Sequence, residues 1–170
     1  MHNDIDRKNP PPVRVGCQSL VRLESGDVLV VRPTYGDRRY QLPGGHRHDG
    51  ERIKAAGDRE LYEETGLTLP RGNLLVVDEI DAKPDVRAAG INFVYDYGVC
   101  NDPDSIRLPA PPGTGEAPEL DRYLWLAEDL LDEHCADYMA KRIHWSLYAL
   151  AENTTVSLVR GELADPERQR

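Results

Sequence analysis

Glu60, Glu63 and Glu64 stand close together beside Arg59, in a stretch whose other residues favour a helix. At 100° per residue, Ala56, Gly57, Glu60, Leu61 and Glu64 all fall within about 80° of Ile53, and Glu63 lies just beside them. Two carboxylates therefore share the face that small and apolar residues mark for burial, and a third borders it. Burying one unpaired carboxylate is costly and neighbouring ones repel each other, so three together require cations. Arg59 is the nearest, yet as the neighbour of Glu60 it projects about 100° away by the same periodicity. A divalent metal is the expected partner. Oxygen donors without His or Cys suit Mg²⁺ or Mn²⁺ rather than Zn²⁺. Glu51 would fall on the far side of a continuous helix, so it belongs in the preceding loop. There Gly44, Gly45 and Gly50 let the backbone fold back and bring a carbonyl close to an ion.

The elements that must position this cluster follow from local pattern. Pro10-Pro11-Pro12 forbids helix and ladder, so residues 1–12 read as a flexible leader. Val13 to Leu23 and Val28 to Val31 are rich in aliphatic residues and separated by Ser25-Gly26-Asp27, the pattern of a hairpin. A loop from Pro33 to Arg39 leads to the extended piece Tyr40-Gln41-Leu42 and a turn at Pro43-Gly44-Gly45. A helix is predicted over residues 52–64, with Gly66 as its C-terminal cap. Strands follow at Leu74–Ile80, Ile91–Val99 and Tyr123–Leu126, and the stretch from Asn101 to Pro118 reads as a long irregular loop. Met139, Ile143, Leu147 and Leu150 mark one face of an amphipathic helix, and Thr154–Val159 a last strand. The sum is an α/β chain, a mixed sheet with a few helices, forming one domain over 13–160 with a polar tail at 161–170.

The segment from Gly45 to Leu67 resembles the Nudix box, G-x5-E-x7-R-E-U-x-E-E-x-G-U with U aliphatic. Gly45, Glu51, Arg59, Glu60, Leu61, Glu63, Glu64, Gly66 and Leu67 match every specified position. Leu42-Pro43-Gly44 is similar to the usual lead-in. With Trp125 and Glu128-Asp129-Leu130, the resemblance extends over residues 13–131. It implies an α/β/α sandwich around a mixed sheet, here with an additional C-terminal helix. It also implies a Mg²⁺ (or Mn²⁺) site on Glu60, Glu63, Glu64 and the Gly45 carbonyl, with Arg59 and Glu51 holding the loop and orienting the carboxylates. The family reaction is attack of a metal-activated water on one phosphorus of a diphosphate. Many members carry Glu where this chain has His48 and Ser or Thr where it has Arg52. Neither is a fixed box position. His46 and His48 flank Arg47, and a substrate-facing or solvent role is expected of them rather than metal ligation.

The box leaves the proton acceptor open. Glu60 is one candidate, and in the family another acid often comes from a loop outside the box, where this chain has Glu116 and Glu119. For the substrate, Arg32, Arg38 and Arg39 offer charge-assisted hydrogen bonds to phosphate, and Tyr40 and Tyr95 a stacking surface. Strand alternation sends Phe93, Tyr95 and Tyr97 to one face, a stripe that more commonly packs a sheet.

Charge narrows the partners. The chain has 30 acidic and 21 basic residues, a formal net charge of −9 and a pI near 5.0. Such a surface repels nucleic-acid backbones, so the expected partner is a small diphosphate rather than DNA or RNA. No apolar run approaches the roughly 20 residues of a membrane span, and the polar N-terminus lacks the apolar core of a secretory signal, so a cytoplasmic address is expected. Cys17, Cys100 and Cys135 are far apart and read as free thiols. The leading expectation is cleavage of a nucleoside diphosphate linked to another moiety. Its rivals are hydrolysis of a non-nucleotide diphosphate, a nucleotide-sensing module without turnover, and a prenyl-diphosphate isomerase of the same fold, which would need a catalytic cysteine. The aromatics Trp145 and Tyr148 beside the last helix's apolar stripe suit a homodimer interface or packing on the chain's own sheet equally well, and family habit alone points to a homodimer.

Overall fold

The computed structural model describes residues 12–110, 113 and 117–165. The segment expected to be a leader, apart from Pro12, and Glu116 lie outside the described residues. Among the described residues eight strands form one mixed sheet: β1 (Val13–Arg22), β2 (Val28–Pro33), β3 (Gly44–His46), β4 (Leu74–Ile80), β5 (Ala89–Val99), β6 (Leu120–Leu126), β7 (Val156–Val159) and β8 (Glu162–Leu163). The spatial order is β6-β2-β1-β5-β4-β7-β8, with β3 pairing β1 beside that path. β1 runs parallel to β5 and β4 parallel to β7, while the remaining pairs are antiparallel. β1 is buried from Gly16 to Val21 because both its faces are covered, which is what an aliphatic run at a sheet's centre requires.

Helix α1 (Ile53–Thr65) covers one face of the sheet and α3 (Asp137–Ala151), preceded by the single turn α2 (Leu131–His134), the other. Alternation along the strands divides the core accordingly. Cys17, Val21, Leu29, Tyr95 and Tyr97 pack with Ala56 and Leu61 of α1, and Phe93 joins them. Leu20, Val28, Val30, Val76, Val94 and Val156 pack with Met139, Ala140 and Ile143 of α3. This is the α/β/α arrangement the sequence predicts, with the C-terminal helix as one layer of the sandwich. No helix among the described residues is long and apolar enough to cross a membrane.

Four details differ from expectation. Gly44–His46 is a strand, not a turn and loop, because β2 contacts β1 at its far end and leaves an edge of β1 for these residues to pair with. The loop after β5 includes a 3-10 turn at Pro103–Ser105, capped by the Asp102 side chain. The turn α2 was not expected, its four residues being too short to show a period. The stretch expected to be a polar tail begins with structure. Arg160 and Gly161, with φ of 52° and 84°, turn the chain so that Leu163 pairs with Leu158 and Glu162 with Val159. Two consecutive residues at positive φ are the requirement of the tight hairpin turn.

Candidate active site

The loop before α1 is held where only glycine fits. Gly44 has φ of 143°, and a Cβ there would lie 2.2 Å from the Cys17 carbonyl oxygen. A Cβ on Gly45 would lie 2.6–2.8 Å from the Glu60 carboxylate. β3 thus lies directly against the acids of α1, and the Gly44 N–H donates to Glu64 Oε2 at 2.7 Å. Gly66, at φ 72°, ends the helix behind them, its N–H on the Tyr62 carbonyl.

The arginine projected away from the cluster by periodicity is at its centre. Arg59 Nη1 donates to Glu60 at 2.8 Å and to Glu63 at 2.9 Å, while Nε and Nη2 both bond Glu51 at 2.9 Å. Nη2 also reaches the His46 carbonyl at 3.0 Å. Helical periodicity fixes where a Cβ points, and a side chain as long as arginine's bends back past that direction. Glu51 closes its own turn by accepting from the His48 N–H. The Arg59 guanidinium, followed by that N–H, holds the Glu51 carboxyl down at about 2, and Arg59 itself is driven above the usual arginine range.

Glu64 is in the opposite condition. It is 5% exposed, and burial pushes its carboxyl up to about 8 despite the Gly44 hydrogen bond, with Glu60, Glu119 and Glu63 adding repulsion. A buried acid with acids for neighbours and one N–H for a partner lacks positive charge. Among the described residues no three His, Cys, Asp or Glu side chains already converge as a finished ion cage. Arg59 draws Glu60 and Glu63 towards itself, which accounts for that. The donor set is nonetheless all oxygen, with Glu60, Glu63 and Gly45 lining one cleft and Glu64 behind them, and it fits a hard divalent cation.

That cleft encloses about 680 Å³. Tyr35, Gln41, His46, His48 and Glu119 line it with the box residues. Gly16, Gln18, Asn92, Ile80, Tyr138, Met139 and four further arginines, Arg14, Arg87, Arg142 and Arg160, line the rest. Glu119 is exposed and close enough for its charge to act on Glu64 and Tyr35. Arg142 enters from α3 almost wholly buried. It bonds Asp78 through Nε at 2.7 Å and Gln18 through Nη1 at 2.8 Å, and Asp78 also accepts from the Gly161 N–H. The signal for this pair was an acid inside the apolar strand LLVVDEI and an arginine on an apolar helix, each in need of a partner once buried.

None of the five substrate-binding residues expected from sequence lines the cleft. Arg32 forms a two-point pair with Asp121, and Arg38 binds the same carboxylate. Arg39 donates to the Cys135 carbonyl, and Tyr40 is buried edge-on to His134. Tyr95 packs in the α1-side core beneath Lys54. Closeness to the box along the chain misled here: Tyr35 and Gln41 of the loop after β2 reach the cleft, while Arg32, Arg38, Arg39 and Tyr40 are engaged by Asp121, a carbonyl and His134. The thiols are no better placed for catalysis. Cys17 and Cys100 sit in the α1-side core, and burial pushes the Cys17 thiol up to about 12.

Known proteins share this architecture. The chain is 32% identical to the RNA pyrophosphohydrolase of Agrobacterium fabrum over 104 residues, 55% of this chain and 61% of that protein. Its fold superimposes on a MutT protein from Methanosarcina mazei with a TM-score of 0.65 at 23% identity, covering 84% of this chain and 96% of the other. The MutT NUDIX hydrolase of Burkholderia pseudomallei gives 0.62 at 24% identity, covering 79% and 96%. The family model of the NUDIX domain matches residues 10–153, spanning both layers of helices and every cleft-lining element up to α3, and the chain belongs to that family.

Proposed function

We propose that the cleft binds a small molecule containing a diphosphate, a nucleoside diphosphate linked to another moiety, and hydrolyses the diphosphate with a divalent metal ion, Mg²⁺ or Mn²⁺. The observation that carries this reading is the set of carboxylate and carbonyl oxygens gathered around the buried Glu64. A buried carboxylate with one N–H for a partner sits behind three other acids at the head of a cleft whose lining also includes Arg14, Arg87, Arg142 and Arg160. Glu60, Glu63 and Glu64, with the Gly45 carbonyl, are the groups that would hold the ion. When bound, the ion supplies the charge that polarises the phosphoryl oxygens and acidifies the attacking water.

The chain's own residues do the remaining work. Arg59 and Glu51 tie the loop to the helix, so the carboxylates are presented at one place. Glu119 has no side-chain hydrogen bond or ion pair among the described residues and faces the same cleft, which suits it to take a proton from water. Glu60, engaged by Arg59, is less free to do so. Tyr35 and Tyr138, both exposed at the cleft, offer flat faces for a base or sugar. The 32% identity to an RNA pyrophosphohydrolase supports cleavage at a phosphoanhydride, and the absence of a thiol from the cleft argues against the isomerase.

The test is phosphate or nucleotide release from nucleoside triphosphates, ADP-ribose, nucleotide sugars, dinucleoside polyphosphates and prenyl diphosphates, with Mg²⁺ and with chelator. Mg²⁺-dependent turnover of a nucleotide is expected. Turnover confined to the prenyl compounds would overturn the substrate class. Binding without turnover across the panel would overturn catalysis and leave a sensor.

A further inference from the structure

Arg59 is engaged by three glutamates and Arg142 by Asp78 and the Gln18 amide oxygen, but the other three arginines of the cleft are not so held. Arg14, Arg87 and Arg160 make no ion pair with any described residue. Arg87 Nε bonds only the Asp81 carbonyl, at 3.2 Å. In a chain with 30 acids to 21 bases, three guanidiniums without an acid on one cleft run against composition. The acids of that cleft, Glu60, Glu63 and Glu119, belong to the box and to the loop before β6.

Sheet register shows why the three arginines share a place. β1, β5, β4 and β7 lie side by side in that order. Arg14 is level with Gly90, Gly90 with Ile80, and Glu79 with Val159, the residue before Arg160. Arg14, Gly90, Ile80 and Arg160 therefore cross the same end of the sheet, over about 14 Å at about 4.8 Å per strand. Arg87 stands in the turn that joins β4 to β5. Arg160 is fixed by the tight hairpin turn and by its N–H on the Glu79 carbonyl at 2.9 Å. Two glycines stand on the same strands. Gly90 has no side chain, and Gly16 has none where a Cβ would lie 2.5 Å from Asn92 Oδ1. Arg14 is three residues along β1 from Cys17, the partner of Gly45, about 10 Å at about 3.3 Å per residue.

We infer that Arg14, Arg87 and Arg160 form a second anion subsite that receives a phosphate monoester on the part of the substrate remote from the diphosphate. Guanidiniums match the oxygens of phosphate in two-point hydrogen bonds, and Arg keeps its charge at any working pH. The inference rests on the proposed function only in taking this cleft as the substrate site. It narrows the substrate class to diphosphates whose far moiety is itself phosphorylated.

Two measurements test it, on the full chain and on the triple variant R14Q/R87Q/R160Q. The first is kcat/KM with Mg²⁺ for NADPH against NADH and for coenzyme A against dephospho-coenzyme A, pairs that differ by one ribose phosphate. The second is calorimetric affinity in chelator for adenosine 2′,5′-bisphosphate and adenosine 3′,5′-bisphosphate against AMP. The expected result is a preference of about tenfold or more for the extra phosphate in at least one pair of each kind, shrinking to within about threefold in the triple variant. No preference in the wild type, or one that survives the triple variant, would overturn the subsite. If no pair is hydrolysed, the binding arm decides alone, and the hydrolase reading fails separately. Should the triple variant not fold, R14Q, exposed at the start of β1, must narrow the gap by itself.

Discussion

Two arginines face the same cleft and are held in opposite ways. Arg142 is 3% exposed, and its partner Asp78 is wholly buried. Arg59 is 21% exposed and shared among three glutamates, one of which, Glu63, is 55% exposed. In the interior a broken ion pair leaves an uncompensated charge, so the Arg142 pair is a fixed pin joining α3 to β4. Nearer the solvent, and above all at the exposed Glu63, water and ions replace a partner more cheaply, so the Arg59 network can exchange carboxylate oxygens more readily than the Arg142 pair. The same chemical pair serves as fastener or as exchangeable ligand according to its burial.

The largest effect expected is at Glu64. E64Q should lower kcat on the order of a thousandfold, since the ion proposed to bind there would supply several kcal/mol of transition-state stabilisation. In chelator the same substitution should raise the melting temperature. The folded Glu64 resists ionisation up to about 8, against 4.5 for the free side chain. Below 4.5 both states are neutral and nothing is lost. From there to about 8 the unfolded chain alone gains by ionising, so metal-free stability falls with pH and levels off above. E64Q should flatten that slope, and Mg²⁺ should reverse it in the wild type only. A slope unchanged in E64Q would remove Glu64 as its source.

Next comes the buried pin. D78A should cost about 3–5 kcal/mol of stability in chemical denaturation. Replacing both partners by apolar residues, as in D78L/R142M, should recover most of that loss. A loss below about 1 kcal/mol for D78A would put the two arginines in the same class after all. R59A comes third. It should lower activity or Mg²⁺ affinity by about 10- to 100-fold while moving stability by less than about 1 kcal/mol. R59K should restore less than half of that loss, because a point charge cannot bond Glu51, Glu60 and Glu63 together. Loss of folding in R59A would erase the contrast with Arg142.

Much of the box end was legible in the sequence, because its geometry is local. One helical period places Glu60 and Glu64 on the buried side, and Gly66 stops the helix within a turn of them. β4 was bounded correctly for a similar reason, as its apolar run has clear ends. The far end was not legible. Arg14, Arg87 and Arg160 stand in three separate segments, and only the crossing of β1, β5, β4 and β7 brings them to one cleft. Arg32, Arg38 and Arg39 lie nearer the box along the chain and are spent on Asp121 and a carbonyl. Sequence spacing reports what one element does and is silent about which strand ends become neighbours. Arg59 failed for a different reason, since a flexible side chain does not keep the direction of its Cβ.

The short strand β3 has a kinetic consequence. It is joined to β1 by three register pairs, Gly16 with His46, Cys17 with Gly45 and Gln18 with Gly44, whereas β5 is joined to the same strand by nine. The lip of the site can therefore peel away while the sheet behind it stays closed, and opening needs only a fraction of the free energy of unfolding. Amide protons of Gly45 and His46 should exchange with deuterium long before those of Val94 and Tyr95, and a bound ion should slow the former without touching the latter.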